Sequence, residues 1–168
     1  MAVPDKTIDP KILDCAKAEF LEKGYMNASL RQICANAGVT TGALYKRYSG
    51  KEALFNALVQ DVIDDIEKVI SDRHVDYSKG TMTDTQLYNM WTLTEGYLDW
   101  WYNFLLERKD AFTLLLKCSE GTQYQSFQHD LVERICEETY RCYTAAATRG
   151  LVRNDISRRE LHVLTTAF

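Results

Sequence analysis

Ser29 to Phe55 read SLRQICANAGVTTGALYKRYSGKEALF, and this stretch decides the fold. Ser29-Leu30-Arg31-Gln32 sets a hydroxyl three residues ahead of a glutamine, the pattern of a capping box, so a short helix opens here and Gly38 ends it. Thr40 caps a second short helix from Thr41 to about Tyr48. Ser49-Gly50-Lys51-Glu52 is a further capping box, after which Leu54, Leu58, Val62, Ile66 and Ile70 recur every four residues to about Asp72. Two short helices thus meet at the turn Ala37-Gly38-Val39. Ile33, Ala37, Val39 and Leu44 are the residues expected to pack inward and hold their angle.

Working outward, the boundaries remain helical. On the N-terminal side, Asp9-Pro10 predicts a cap and a first helical position for a helix whose apolar face is Ile12, Leu13, Ala16 and Phe20, with Gly24 as its stop. On the C-terminal side, a polar connection runs from His74 to Met82 and contains Gly80. Thr83 and Gln86 then box a fifth helix reaching about Arg108. Asp110 caps a short sixth helix with Phe112, Leu114, Leu115 and Leu116, and Gly121 breaks it. A seventh runs from about Thr122 to Arg149 with Phe127, Leu131, Ile135 and Cys142 on one side, and Gly150 ends it. Ser157 and Glu160 open an eighth carrying Leu161, Leu164 and Phe168. This last helix has no stop signal, so the native chain is expected to continue or a partner to cover its face. No strand-type alternation and no internal repeat interrupts the series. The fold class is all-α: a three-helix head with a helix-turn-helix at residues 1–50, then a helical domain over 51–168.

Composition narrows the class of protein. Of 168 residues 46% are hydrophobic and 26% charged, as in globular rather than disordered chains. The opening MAVPDKTIDP lacks the charged head and apolar run of a secretory signal, and no apolar run reaches the ~20 residues of a membrane span. The expected location is cytoplasmic, with no membrane partner. Cys15, Cys34, Cys118, Cys136 and Cys142 include no C-x-x-C pair and read as reduced thiols used as small apolar residues, with a redox sensor on Cys136 and Cys142 as the alternative. His74, His129 and His162 lie far apart, so no metal site or cofactor is indicated. No nucleophile elbow, phosphate loop or paired acid and base points to an enzyme. The net charge of −4 divides into +2 over residues 1–55 and −6 over the rest, as expected of a protein that meets a polyanion with one end only.

The exposed side of the third helix carries the functional chemistry. Thr41, Gly42, Ala43, Tyr45, Lys46 and Arg47 suit a DNA major groove. Small residues let the helix approach the bases, Ala43 or a threonine methyl can touch a thymine methyl, and Tyr45 and Arg47 can reach phosphates or base edges. Lys51 sits at a helix N-terminus, where the dipole already favours a phosphate.

The ordered series Ile12-Leu13, Phe20, Gly24-Tyr25, Ser29, Ile33-Cys34, Ala37-Gly38-Val39, Gly42, Leu44-Tyr45, Lys51-Glu52 and Leu54 resembles the tetracycline-repressor (TetR) family of bacterial regulators. The resemblance covers about the first third of the chain; the rest matches in length and helix order only. It implies a DNA-reading head of three helices, a fourth helix linking it to a regulatory body, and a homodimer built on the last two helices. It implies DNA-contact roles for Arg31, Thr40, Thr41, Ala43, Tyr45, Arg47 and Lys51, and a double-stranded operator and a small-molecule effector as partners. Tyr48 stands where the family commonly has an inward phenylalanine, and Arg47 where it has histidine or tyrosine. The family's last helix is missing.

The fifth helix, LYNMWTLTEGYLDWWYNFLL over residues 87–106, is the second feature of interest. Leu87, Met90, Tyr97, Leu98, Trp101, Phe104 and Leu105 form a broad apolar face. Thr92, Glu95, Gly96, Asp99 and Asn103 form a polar stripe flanked by Trp91, Tyr102 and Trp100. One reading is a core helix with a solvated back. The other, drawn from the resemblance, is the wall of an effector cavity in which Trp91, Glu95, Tyr97, Asp99, Trp101 and Tyr102, with Tyr124 and Phe127 of the seventh helix, receive a largely apolar ligand. Two regulatory readings follow: a repressor released from a palindromic operator by that ligand, or a body that answers thiol oxidation or a protein partner.

Overall fold

The computed structural model describes residues 8–73, 82–89 and 95–166. Its elements are α1 (Ile8–Asn27), α2 (Leu30–Ala37), α3 (Thr41–Tyr45), α4 (Lys51–Arg73), α5 (Asp84–Asn89), α6 (Glu95–Glu107), α7 (Lys109–Lys117), α8 (Phe127–Thr148) and α9 (Arg158–Thr166). The fold is all-helical, with no strand among the described residues, and no described helix is long and apolar enough to cross a membrane. By packing, the chain forms two units, one of residues up to Lys68 with Leu105–Ser126, the other of Val69–Phe104 with Phe127–Phe168. The first unit thus takes in α4 as far as Lys68, and α7, beside α1 to α3.

In the first unit Ile12, Ala16 and Phe20 of α1, Ile33 of α2, Leu44 of α3 and Leu54, Phe55 and Val59 of α4 are fully buried. Phe55 makes edge contacts with Phe20 (5.3 Å) and Tyr25 (5.5 Å), so the α4 stripe runs through Phe55 and Val59 as well as the expected four-residue repeat. α7 packs on α1. Its Asp110 does not cap it: the helix opens at Arg108 without a side-chain cap, and Asp110 instead pairs with Lys17 at 3.6 Å. Asp9 likewise lies inside the first turn of α1, which is helical from Ile8.

Gly24 interrupts α1 at φ 70°, ψ 164°, a conformation open essentially to glycine alone, and the amide freed beyond the break, Tyr25 N–H, donates to the Cys118 carbonyl at 2.9 Å. The seventh predicted helix begins five residues later than expected. Thr122 donates from Oγ1 to the Ser119 carbonyl (2.7 Å) and accepts from the Tyr124 N–H (3.0 Å), which holds 122–126 as a turn.

In the second unit α8 packs against α5 and α9. Its buried residues are Cys136, Cys142, Tyr143 and Ala146, whereas the expected core residue Ile135 is exposed. Thr83 and Gln86 form the predicted capping box in both directions, as do Ser157 and Glu160. The expected fifth helix is seen as α5 and α6, and the intervening residues, like the 74–81 connection and Phe168, lie outside the described ones.

One hydroxyl organises the loop between α8 and α9. Tyr143 Oη donates to the Arg153 carbonyl at 2.7 Å and accepts from the Asp155 and Ile156 amides, each at 2.9 Å. Tyr143→Phe keeps the ring and orphans three backbone groups, so a loss of about 1–3 kcal/mol in urea-unfolding stability is expected. A variant within a few tenths of a kcal/mol of the parent would contradict that role.

Candidate functional site

The α2–turn–α3 unit is set by local chemistry. Gly38 adopts φ 67°, ψ 31°, its N–H bonding the Ala35 carbonyl at 3.2 Å while the Val39 N–H bonds that of Cys34 at 3.0 Å. This pair of bonds closes the end of α2 as a Schellman motif and turns the chain toward α3. Thr40 Oγ1 then accepts from the Ala43 N–H at 3.1 Å and caps α3. That helix ends at Tyr45, three residues earlier than expected, and Lys46 to Tyr48 continue as a turn held by Arg47 N–H and Tyr48 N–H on the Leu44 carbonyl, both at 2.9 Å. Leu44, fully buried, anchors the element.

With Leu44 inward, Thr40, Thr41, Gly42, Tyr45 and Lys46 face solvent, Ala43 is half-buried, and Arg31 of α2 is exposed. Tyr45 is 55% exposed, large for an aromatic ring in a well-packed head. Gly42 has ordinary helical φ, and the nearest atom to an added Cβ is Thr40 Oγ1 at 4.0 Å. Among the described residues nothing internal requires glycine there, although glycine weakens a helix by about 1 kcal/mol relative to alanine.

Two of the predicted contact residues are engaged within the head. Lys51 donates from Nζ to the Met26 and Ala28 carbonyls (3.1 and 3.3 Å) and lies 4.6 Å from the centre of the Tyr25 ring, so it ties the end of α1 to the start of α4. Arg47 reaches back to α1, its Nε 2.6 Å from Asp9 Oδ1.

Sequence reasoning also missed Glu19. Its side chain is 3% exposed, and Oε1 accepts from Lys23 Nζ (2.9 Å) and from the Ser29 N–H (3.0 Å). Burial pushes the carboxyl up, but the Lys23 and Ser29 hydrogen bonds and the Lys23 charge outweigh it and hold its pKa below the usual glutamate value. Ser29 Oγ accepts from the Gln32 N–H at 3.4 Å as expected, whereas Gln32 bonds Asn36 at 2.9 Å and leaves the reciprocal half of the box to Glu19.

The predicted effector residues are not all brought together. Trp91 lies outside the described residues, and of Glu95 and Tyr97 only the backbone, in α6, is described. Asp99 is exposed rather than enclosed, and Tyr102 is 66% exposed. Trp101 packs within α6, its ring 5.1 Å from Trp100 and 5.6 Å from the buried Phe104. Tyr124 belongs to the first unit, where its ring lies 6.3 Å from Phe55 and its hydroxyl 3.4 Å from Gln60 Oε1; Phe127 is half-buried at the start of α8.

The thiol alternative loses its pair: Cys136 and Cys142 stand six residues apart on one helix, a separation of about 9 Å along its axis, beyond disulfide reach unless α8 unwinds. Burial raises the thiol pKa of Cys34 and, against the charge of Lys117, that of Cys118.

The head geometry agrees with three comparisons. The family described as bacterial regulatory proteins, tetR family, matches residues 12–58. The transcriptional regulator UidR of Escherichia coli (strain K12) is 36% identical over 58 residues, 34% of this chain and 28% of UidR, so the match spans little more than a quarter of that relative. The transcriptional repressor AcnR of Corynebacterium efficiens is 26% identical across 97% of this chain and 79% of its own. Among solved structures, a TetR regulator from Streptomyces coelicolor A3 superposes with a TM-score of 0.60 at 22% identity, covering 99% of this chain and 74% of that one, a likeness of fold. Over residues 12–58 the chain therefore carries the head of the TetR family of bacterial transcriptional regulators, and behind it the chain is similar to that family in fold.

Proposed function

We propose that the chain binds double-stranded DNA with the exposed side of α3, as a homodimer on a palindromic operator, and represses until a small, largely apolar effector reaches the helical body. The observation that carries this reading is the division within α3: Leu44 is buried while Thr41, Gly42, Tyr45 and Lys46 face outward. A glycine at an exposed helical position is unfavourable for the head alone and favourable for a helix that must approach another surface closely. Arg31 and Lys46 add positive charge for phosphates. The exposed aromatic residues of α6 support the effector half of the proposal.

Site-specific photo-crosslinking tests both halves. A benzophenone side chain at position 45 is expected to capture labelled duplex, and the same group at exposed position 116 is not. A lipophilic compound that quenches tryptophan fluorescence should lower the capture at 45. Equal capture from both positions, or from neither, contradicts DNA contact by α3; quenching that leaves capture unchanged contradicts release.

A further inference from the structure

Arg47 and Asp9 stand 38 positions apart in sequence and meet where the turn after α3 faces the first turn of α1. Arg47 Nε lies 2.6 Å from Asp9 Oδ1, with the arginine side chain 22% exposed and the aspartate 48%. Among the described residues the Asp9 oxygen is shut off from solvent and receives no aligned hydrogen bond, and the charge of Arg47 lies beside it. Both partners favour the arrangement locally, since an acid suits the first turn of a helix and a cation suits the turn after a helix C-terminus. Partly exposed ion pairs contribute little to stability, so stability alone gives the pair little value. Its geometric consequence is larger. A guanidinium carries five N–H donors, and a carboxylate on the Nε side fixes the plane of the group while the Nη1/Nη2 edge remains the one able to fork onto guanine O6 and N7 or a phosphate.

We propose that Asp9 is a positioning residue for DNA recognition: it holds the Arg47 guanidinium against the head in the one orientation from which its Nη edge reads the operator. The inference rests on the DNA-binding reading above. It makes Asp9, remote from the helix-turn-helix in sequence, a determinant of operator choice, and it couples the start of α1 to the turn after α3. An arginine on its flexible stem loses side-chain freedom on binding, and a preset orientation removes part of that cost.

The test is selection of duplexes from a random pool by the full chain and by Asp9→Ala, Arg47→Ala and the double variant, followed by affinity measurement on the recovered sites. Asp9→Ala and Arg47→Ala are expected to relax preference at the same base pairs and to lose about 5- to 150-fold in affinity there, with the double variant no weaker than the worse single one. Asp9→Asn, which keeps the shape and removes the charge, should behave as Asp9→Ala if the latter fails to fold. Thermal unfolding of each variant identifies a loss that comes from the head itself. The inference is overturned if Asp9→Ala keeps the parent's preference where Arg47→Ala loses it, or if Asp9→Ala binds more tightly, the sign of a restraint rather than a support. A parent chain that selects no sequence overturns the DNA-binding reading as well, and is told apart from the other two outcomes by the parent alone.

Discussion

Gly38→Val is expected to cost the head about 1–2 kcal/mol of stability and to weaken specific DNA binding about 5- to 30-fold beyond any loss of folded protein. Gly38 sits at φ 67°, ψ 31°, where an L side chain costs about that much and a β-branched one fits worst. Among the described residues an added Cβ meets only Lys11 Nζ at 3.6 Å, so the penalty is in the backbone and not in a collision. If the strain is relieved by opening the turn, α3 loses its angle to α2, and binding must restore it at the cost of the same free energy, which gives the stated factor. Gly38→Asn, tolerated in the left-handed region, should recover most of both losses. Chemical denaturation and an affinity titration on one duplex read the two effects separately. Full binding by a folded Gly38→Val variant would show that the angle set at this turn is not what presents α3.

The second large effect is expected at Glu19. Glu19→Leu removes a buried carboxylate that accepts from the Ser29 N–H and from Lys23, so a loss of about 1–3 kcal/mol at neutral pH is expected. The pH dependence has a defined sign. The folded-state pKa of Glu19 is lowered, so its contribution is present above the ordinary glutamate pKa and is lost as pH falls through the depressed folded value. The stability gap between parent and Glu19→Leu should therefore stay constant from about pH 8 to 6 and close on the acid side of about pH 4. A gap that persists into acid would mean that Glu19 acts through packing alone.

Glu19 also marks where the sequence stopped being legible. The Ser29-to-Gln32 pattern fixed the start of α2, because a hydroxyl and the amide three residues on meet in any helix N-terminus. The other half of that box went to a carboxylate ten residues upstream, a stronger acceptor that only the packing of α1 on α2 brings near. Thr83 with Gln86 and Ser157 with Glu160 closed as read. Asp110 was drawn from its capping role by Lys17, and Arg47 is met on its Nε side by Asp9, both tertiary ion pairs that spacing cannot reveal. The start of α8 was misread because Thr122, a good cap in isolation, bonds back to Ser119 instead. On α8 itself, Ile135 and Cys136 are neighbours of similar apolar character, and only tertiary packing decides that the cysteine goes inside. Along α3 the small and exposed residues were legible from their types alone; which of the cations would be tied up within the head was not.

Random-pool selection with the full chain tests the central claim most directly, because it asks for sequence-specific recognition without assuming an operator. The account predicts enrichment of a palindromic duplex bound about 10³- to 10⁷-fold more tightly than scrambled DNA, with affinity falling steeply as salt rises. A pool that enriches no sequence above the non-specific background would contradict it.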